Sequence, residues 1–310
     1  LLVGILAAST ASILIRFAQD EAPSIVIATY RLVFAALILA PFALITRKKE
    51  LLGLERRTVI LGLLSGTFLA LHFATWITSL EYTSVTSSVV LVSTTPLWVA
   101  ILAPFTIKEP ITRLMTIGML LALAGGIVVG FSDACSIGAA GIDCPGRVEF
   151  LKTGALAGDL LALIGAIMAA CYLLVGRQLR HRLSNTSYIT LVYSMAGVVL
   201  MLVTIFSGNQ LSGYPPQTYV WFLLLAIIPQ LIGHSAFNWA LGYLSAGYVS
   251  ISLLGEPVGS SILAFLILDE SQTLIKLFGA ILILSGIYIA ARGEMVQKPE
   301  AFNPPKARPD

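Results

Sequence analysis

Apolar runs about as long as a bilayer is thick follow one another along almost the whole of this chain. There are ten, at residues 1–18, 23–46, 58–80, 84–106, 112–131, 153–176, 186–207, 218–241, 246–268 and 273–291. A hydrocarbon core of about 30 Å is crossed by about 20 helical residues. Each run is therefore expected to be a transmembrane helix, and the chain an all-α integral membrane protein. Charge agrees with this, because 19 basic and 16 acidic residues among 310 cannot coat a water-soluble body of that size. The runs are continuous rather than alternating, which excludes a β-barrel. The first run lacks a basic leader and a small-residue cleavage site and carries Arg16, so it reads as a span rather than a signal peptide. A net charge of +3 is too slight to point to nucleic acid.

Basic residues in the short connections set the expected orientation, since cytoplasmic loops are enriched in Lys and Arg. With the amino end inside, fourteen basic residues fall on the cytoplasmic side and only Arg147, Lys152 and Lys276 on the other. Both termini are thus expected in the cytoplasm. Residues 293–310, rich in Lys, Glu and Pro, are expected to form a disordered cytoplasmic tail. Residues 132–152 form a periplasmic loop that holds Cys135 and Cys144. A disulfide between them and two free thiols are both open readings. With Cys171 inside an apolar run, the three cysteines make no zinc framework.

The chain also repeats itself at an offset of 161. Residues 82–126 match 243–287 without a gap at twelve of 45 positions. Ser84 meets Ser245, Pro96 meets Pro257, Glu109 meets Glu270, Thr112 meets Thr273, Gly118 meets Gly279 and Gly125 meets Gly286. Apolar matches are cheap in such sequences, but prolines, glutamates and glycines in one register are not. The copies are a five-helix repeat over 1–131 and a second over 153–292. Five is odd, so the second copy is expected to enter the membrane upside down. Inverted repeats of this kind typify secondary transporters, with a substrate site near mid-membrane where the halves meet.

The pattern Pro96…Glu109…Gly118…Gly125 and Glu256-Pro257…Glu270…Gly279…Gly286, on ten spans in two halves, resembles the EamA-type branch of the drug/metabolite transporter superfamily. Within that branch the chain looks most like bacterial inner-membrane exporters of aromatic and other neutral amino acids. The resemblance implies ten helices around a central cavity and export of small metabolites without ATP. It covers nearly everything up to residue 292. The long 132–152 loop departs from the family's pattern.

Polar side chains inside spans are the candidate substrate contacts, because each is costly in hydrocarbon and tends to face a wet or paired interior. Ser245, Tyr248, Ser252, Glu256 and Gly259 recur at near-helical spacing in the ninth span. Glu256 is a candidate for a substrate ammonium or a coupling proton; the plainer reading is a structural acid that bonds a neighbouring helix or balances Arg31. Pro257, like Pro96 in the fourth span, frees an upstream carbonyl, so both are candidate bends and gates. His72 and Trp76 stand four apart in the third span, suited to a carboxylate and to an aromatic or cationic group, or else simply packed. Gln230, His234 and Asn238 stand at i, i+4 and i+8 and so share one face of the eighth span, with His234 and Asn238 the candidate contacts. Trp98, in mid-span, suits an aromatic substrate, with Tyr172 a weaker partner. Tyr30 joins them, and neighbouring Arg31 either meets a substrate carboxylate or, on the plainer reading, snorkels to the outer headgroups or pairs with an acid. Glu109 and Glu270 read as caps of the helices that follow them.

These features point to an inner-membrane secondary transporter that exports amino acids by alternating access. A multidrug or other metabolite exporter of the same fold is the alternative, and a membrane-embedded enzyme a weaker one. There is no H-E-x-x-H, no G-x-x-x-x-G-K-[ST] and no G-x-S-x-G, so neither catalytic nor metal-binding residues are assigned and no cofactor is expected. The expected partners are the amino-acid substrate and the lipid bilayer. A monomer is expected, a dimer being the alternative.

Overall fold

The computed structural model describes residues 1–82, 85–109, 111–134, 136–138, 141–143, 155–268 and 274–301. Ser84, Cys135, Cys144, Arg147, Lys152, Glu270 and Thr273 lie outside the described residues, and with them the disulfide question and the capping role of Glu270. In chain order the helices are α1 (Leu2–Ala8), α2 (Ala11–Gln19), α3 (Ser24–Thr46), α4 (Lys48–Leu52), α5 (Arg56–Tyr82), α6 (Val85–Val92), α7 (Thr95–Thr106) and α8 (Arg113–Ala134). After them come α9 (Ala155–Arg180), α10 (Asn185–Phe206), α11 (Pro216–Leu225), a π-helical segment (Ala226–His234), α12 (Ser235–Ala240), α13 (Ala246–Ser252), α14 (Gly255–Leu268) and α15 (Leu274–Ala301). Between α8 and α9, β1 (Ser136–Gly138) pairs antiparallel with β2 (Gly141–Asp143), a small hairpin that apolar periodicity did not announce.

The helices follow from the solvent. Hydrocarbon offers no partner for a backbone N–H or C=O, so an apolar run must satisfy its own. Among the described residues, seven stretches are long and apolar enough to cross a membrane: Leu2–Gln19, Ser24–Thr46, Arg56–Tyr82, Leu156–Arg180, Asn185–Phe206, Pro216–Ala240 and Ala246–Ile267. Thr95–Thr106, Arg113–Gly125 and Leu277–Ala290 are shorter apolar helices. Large apolar side chains such as Ile45, Phe105 and Phe206 stay exposed, as a surface bathed in lipid tails requires. The last helix, α15, runs on to Ala301, past the end of the last apolar run at 291.

Packing repeats at the offset read from the sequence. Helices α3 and α10 begin at 24 and 185, α6 and α13 at 85 and 246, and α8 and α15 at 113 and 274, each pair 161 apart. A Cβ on Gly118 would stand 2.5 Å from the Gly286 carbonyl oxygen, and one on Gly125 would stand 2.6 Å from that of Gly279. Residue numbers rise on one helix as they fall on the other, so α8 and α15 are antiparallel and touch backbone to backbone. Helices α3 and α10 are antiparallel too: Thr29 and Thr204 share a 2.7 Å hydrogen bond, while Val33 meets Gly197. Gly165 on α9 faces positions 72, 75 and 76 of α5, and Gly4 on α1 faces positions 233, 236 and 237. Those two contact sets are the same after a shift of 161.

Two carboxylates tie helix ends together. Glu109 does not cap α8, the helix that follows it. It accepts the Arg177 Nε–H at 2.5 Å and the Ala246 N–H at 3.1 Å, so it caps α13 instead, brought there by the turn between α7 and α8. Glu50 on α4 accepts the Ser184 N–H at 2.8 Å and the Ser184 and Ser187 hydroxyls at 2.6 and 2.7 Å, which fastens the start of α10. Partial burial alone would raise the Glu50 pKa, but these bonds outweigh it and hold it below its ordinary value. A carboxylate depressed in the folded state contributes stability that is present above its unfolded pKa and is lost as pH falls through the folded one. Glu50→Gln is therefore expected to lower stability at neutral pH by about 1–2 kcal/mol and to flatten the decline toward acid. Thermal melts of the purified protein between pH 7 and about pH 3, which brackets the fall through the depressed carboxylate, check this; unchanged curves would count against the clamp.

Candidate functional site

Four helices are interrupted partway along, and the interruptions meet. Proline explains two of them. Pro96 and Pro257 have no N–H for the carbonyls of Val92 and Leu253, and the chain breaks at Ser93–Thr94 and at Leu253–Leu254. The freed oxygens are recaptured locally: the Thr95 hydroxyl donates to Val92 O at 2.8 Å, and the Glu256 N–H to Leu253 O at 2.9 Å. At the third break, between α1 and α2, the Ser9 hydroxyl reaches Ile5 O at 2.7 Å and Glu256 O at 3.2 Å. The fourth is the π-helical segment, where Pro229 sits within the turn. Irregular backbone at membrane depth is tolerated only where protein buries it or where it lines a cavity.

A cavity lies at this junction, with about 70 Å³ of room for the centres of water-sized molecules. One water needs roughly 10–15 Å³ on that measure, so the space holds several waters or one small group. Its walls come from residues on both sides of the breaks: Ser12, Ser93, Thr95 and Pro96, then Ser250, Leu253, Glu256, Pro257 and Ser260. His72 and Trp76 of α5, Tyr172 of α9, and His234 with Phe237 complete them.

The polar groups differ in what they can offer. His72 Nδ1 lies 2.9 Å from Gly165 O. A carbonyl only accepts, so that nitrogen carries the hydrogen and Nε2 of the neutral ring is an acceptor. Trp76 stacks on His72 with centroids 5.8 Å apart and planes 10° apart, and its buried Nε1–H has no hydrogen-bond partner among the described residues. The Tyr172 hydroxyl donates to Asn238 Oδ1 at 2.5 Å, and Asn238 Nδ2 donates in turn to Tyr193 at 3.2 Å. Glu256 stands at the first turn of α14, where the helix dipole favours a carboxylate. Directly behind the wall, the Arg31 guanidinium lies 4.1 Å above the Phe73 ring, and Phe73 meets His234 edge-on at 5.2 Å.

Of the residues expected to contact a substrate, His72, Trp76, Tyr172, His234 and Glu256 line this cavity, and so do Pro96 and Pro257. Four do not. Trp98 donates its Nε1–H to Thr94 Oγ1 at 3.3 Å and packs against the core. Tyr30 stacks on Phe222 with centroids 4.6 Å apart and bonds Leu211 O. Ser252 turns its hydroxyl back to Tyr248 O, and Asn238 is spent on the two tyrosines. Sequence reasoning passed over Ser12, Ser93, Ser250, Ser260 and Phe237; the signal available for Ser93 and Ser260 was their place within three residues of a proline in mid-span.

A model of the EamA-like transporter family matches residues 1–131 and 156–292. The chain is 21% identical over 231 residues to an uncharacterized transporter of Archaeoglobus fulgidus, covering 74% of each chain. It is 26% identical to the uncharacterized transporter YyaM of Bacillus subtilis, over 75% of this chain and 72% of that one. A third relative, the uncharacterized transporter YoaV of the same organism, is 24% identical over 87% of each chain. Among solved structures, one crystal structure superposes with a TM-score of 0.73 at 16% identity over 96% of both chains, a likeness of fold.

Proposed function

Since the chain belongs to the EamA-like transporter family, we propose that it is a bacterial inner-membrane secondary exporter of amino acids, aromatic and other neutral ones, working by alternating access. In this reading ten helices form two inverted five-helix halves, both termini lie in the cytoplasm, and the central cavity is the substrate site. One observation carries it: the broken helices bring polar groups from both copies to a single cavity. Ser12, His72 and Thr95 come from the first copy; His234, Glu256 and Ser260 come from the second. Discontinuous helices at a repeat interface are how secondary transporters expose backbone and side-chain polarity to a cargo without exposing it to lipid.

The packing supports the inversion. Contacts that recur after a shift of 161, with α3 against α10 and α8 against α15 antiparallel, are what a pseudo-twofold axis in the membrane plane produces. The breaks at Pro96 and Pro257 then act as bends at equivalent points of the two halves. Glu256 receives the cargo's ammonium, while Trp76 and Phe237 supply an apolar wall for its side chain. A carboxylate beside aromatic rings also suits organic cations, which is why a multidrug exporter is the second reading.

The test is transport by the purified protein in liposomes. Radiolabelled phenylalanine loaded inside should leave chemically unchanged, without nucleotide, at a rate that empty liposomes do not match. Repeating the measurement with and without an imposed pH gradient separates downhill from proton-coupled flux. Flux no greater than through protein-free vesicles, for phenylalanine and for a panel of neutral amino acids, would end the amino-acid reading.

A further inference from the structure

Arg31 is the largest side chain with no exposure at all, and it is not at ease. Its Nε–H donates to Gln230 Oε1 at 2.8 Å, but among the described residues Nη1 and Nη2 are buried without a hydrogen-bond partner, and so is Gln230 Nε2. Among the described residues no carboxylate lies within ion-pair distance of the guanidinium. Every unmet group in this cluster is a donor. What completes it is an acceptor with more than one oxygen, and the planar guanidinium fork fits a carboxylate in particular. An ammonium or an apolar group would leave the cluster as it stands, and buried unpaired donors are costly.

The cluster sits one layer from the cavity. The Phe73 ring carries Arg31 on its face and meets His234 of the cavity wall at its edge. Gln230 and His234 both belong to the π-helical segment, whose wide turn is a form that concentrates at functional positions. Glu256 belongs to the cavity wall itself. A donor cluster behind the wall and a lone carboxylate in it are the two ends that a zwitterion requires.

We propose that Arg31 and Gln230 form a carboxylate subsite just behind the Phe73–His234 wall, so that the cavity selects α-amino acids over amines that lack the carboxyl group. This rests on the amino-acid reading of the cavity and narrows its substrate class. The subsite opens when the Phe73–His234 contact parts, and closes again over the guanidinium when the cargo has left.

Binding to the full-length protein in detergent, followed by thermal shift or tryptophan fluorescence, tests it with three probes. L-Phenylalanine carries both charges, phenethylamine only the ammonium, and 3-phenylpropionate only the carboxylate. The wild type should bind phenylalanine at least tenfold more tightly than phenethylamine. Arg31→Gln should weaken phenylalanine at least tenfold and leave phenethylamine within twofold. Gln230→Glu, which places a carboxylate on Arg31 from within the chain, should do the same without truncating the arginine. Equal wild-type affinity for phenylalanine and phenethylamine overturns the proposal without any variant, and so does a variant that folds and weakens both probes alike. If phenylalanine crosses the liposome membrane and Arg31→Gln binds it as the wild type does, the subsite fails and the exporter reading stands. If 3-phenylpropionate binds through Arg31 while phenylalanine neither binds nor crosses, the subsite stands and the amino-acid reading fails.

Discussion

Gly118→Leu is expected to yield no folded protein, and Gly286→Leu, whose Cβ would stand 2.5 Å from Gly118 O, to fail in the same way. At Gly118 a Cβ would stand 2.5 Å from Gly286 O and 2.7 Å from Ala290 N. Both obstacles are backbone, held in the hydrogen-bond ladder of α15, so no rotamer change relieves them. Even Gly118→Ala should lower stability by about 2 kcal/mol or more, at the upper end of what overpacking does elsewhere. Ile117→Leu is the control. That side chain is exposed on the same helix, and a volume-conserving change there should stay within about 0.5 kcal/mol. Thermal melts and size-exclusion profiles in detergent read the result. A Gly118→Leu protein that melts with the wild type would mean that α8 and α15 do not approach as described.

Glu256→Gln should do the opposite, sparing the fold and removing the function. Glu256 lines the cavity at the helix break, and its position there rests on backbone contacts: its N–H to Leu253 O and its carbonyl to the Ser9 hydroxyl. A glutamine keeps both contacts and the side chain's shape. The melting temperature should therefore move by no more than about 2 °C. Transport should fall at least tenfold, which corresponds to about 1.4 kcal/mol of lost binding to the cargo's ammonium. Normal flux would show that the carboxylate plays no part in transport; a large drop in melting temperature would show that its part is structural.

The architecture was legible because lipid leaves the chain few options. Ten apolar runs and an offset of 161 can be read without coordinates, and the helix starts at 24 and 185 or at 113 and 274 keep that offset to the residue. The candidate site was legible only in pieces. His72 and Trp76, on an unbroken helix, fall where their four-residue spacing places them. Ser252 and Glu256 were read as one stripe, but the break at Leu253–Leu254 resets the helical phase, and Ser250 lines the cavity where Ser252 does not. The same holds for Gln230, His234 and Asn238. The wider π turn rotates them apart, so His234 faces the cavity while Gln230 and Asn238 turn into the packing. Trp98 follows the break at Ser93–Thr94 and fails for that reason too. Periodicity carries a side chain's direction only as far as the helix is continuous, and transport sites are built where it is not.

Where Gly118 meets Gly286 and Gly125 meets Gly279, the seam between α8 and α15 is backbone against backbone. Elsewhere in the molecule one rotamer can replace another as neighbours slide, but two backbones in contact over Gly118, Gly125, Gly279 and Gly286 have no such slack. In the proposed alternating access the pair would consequently be a keel: it would travel as one piece, stiff along its length, and any rocking of the remaining helices would turn about it rather than through it.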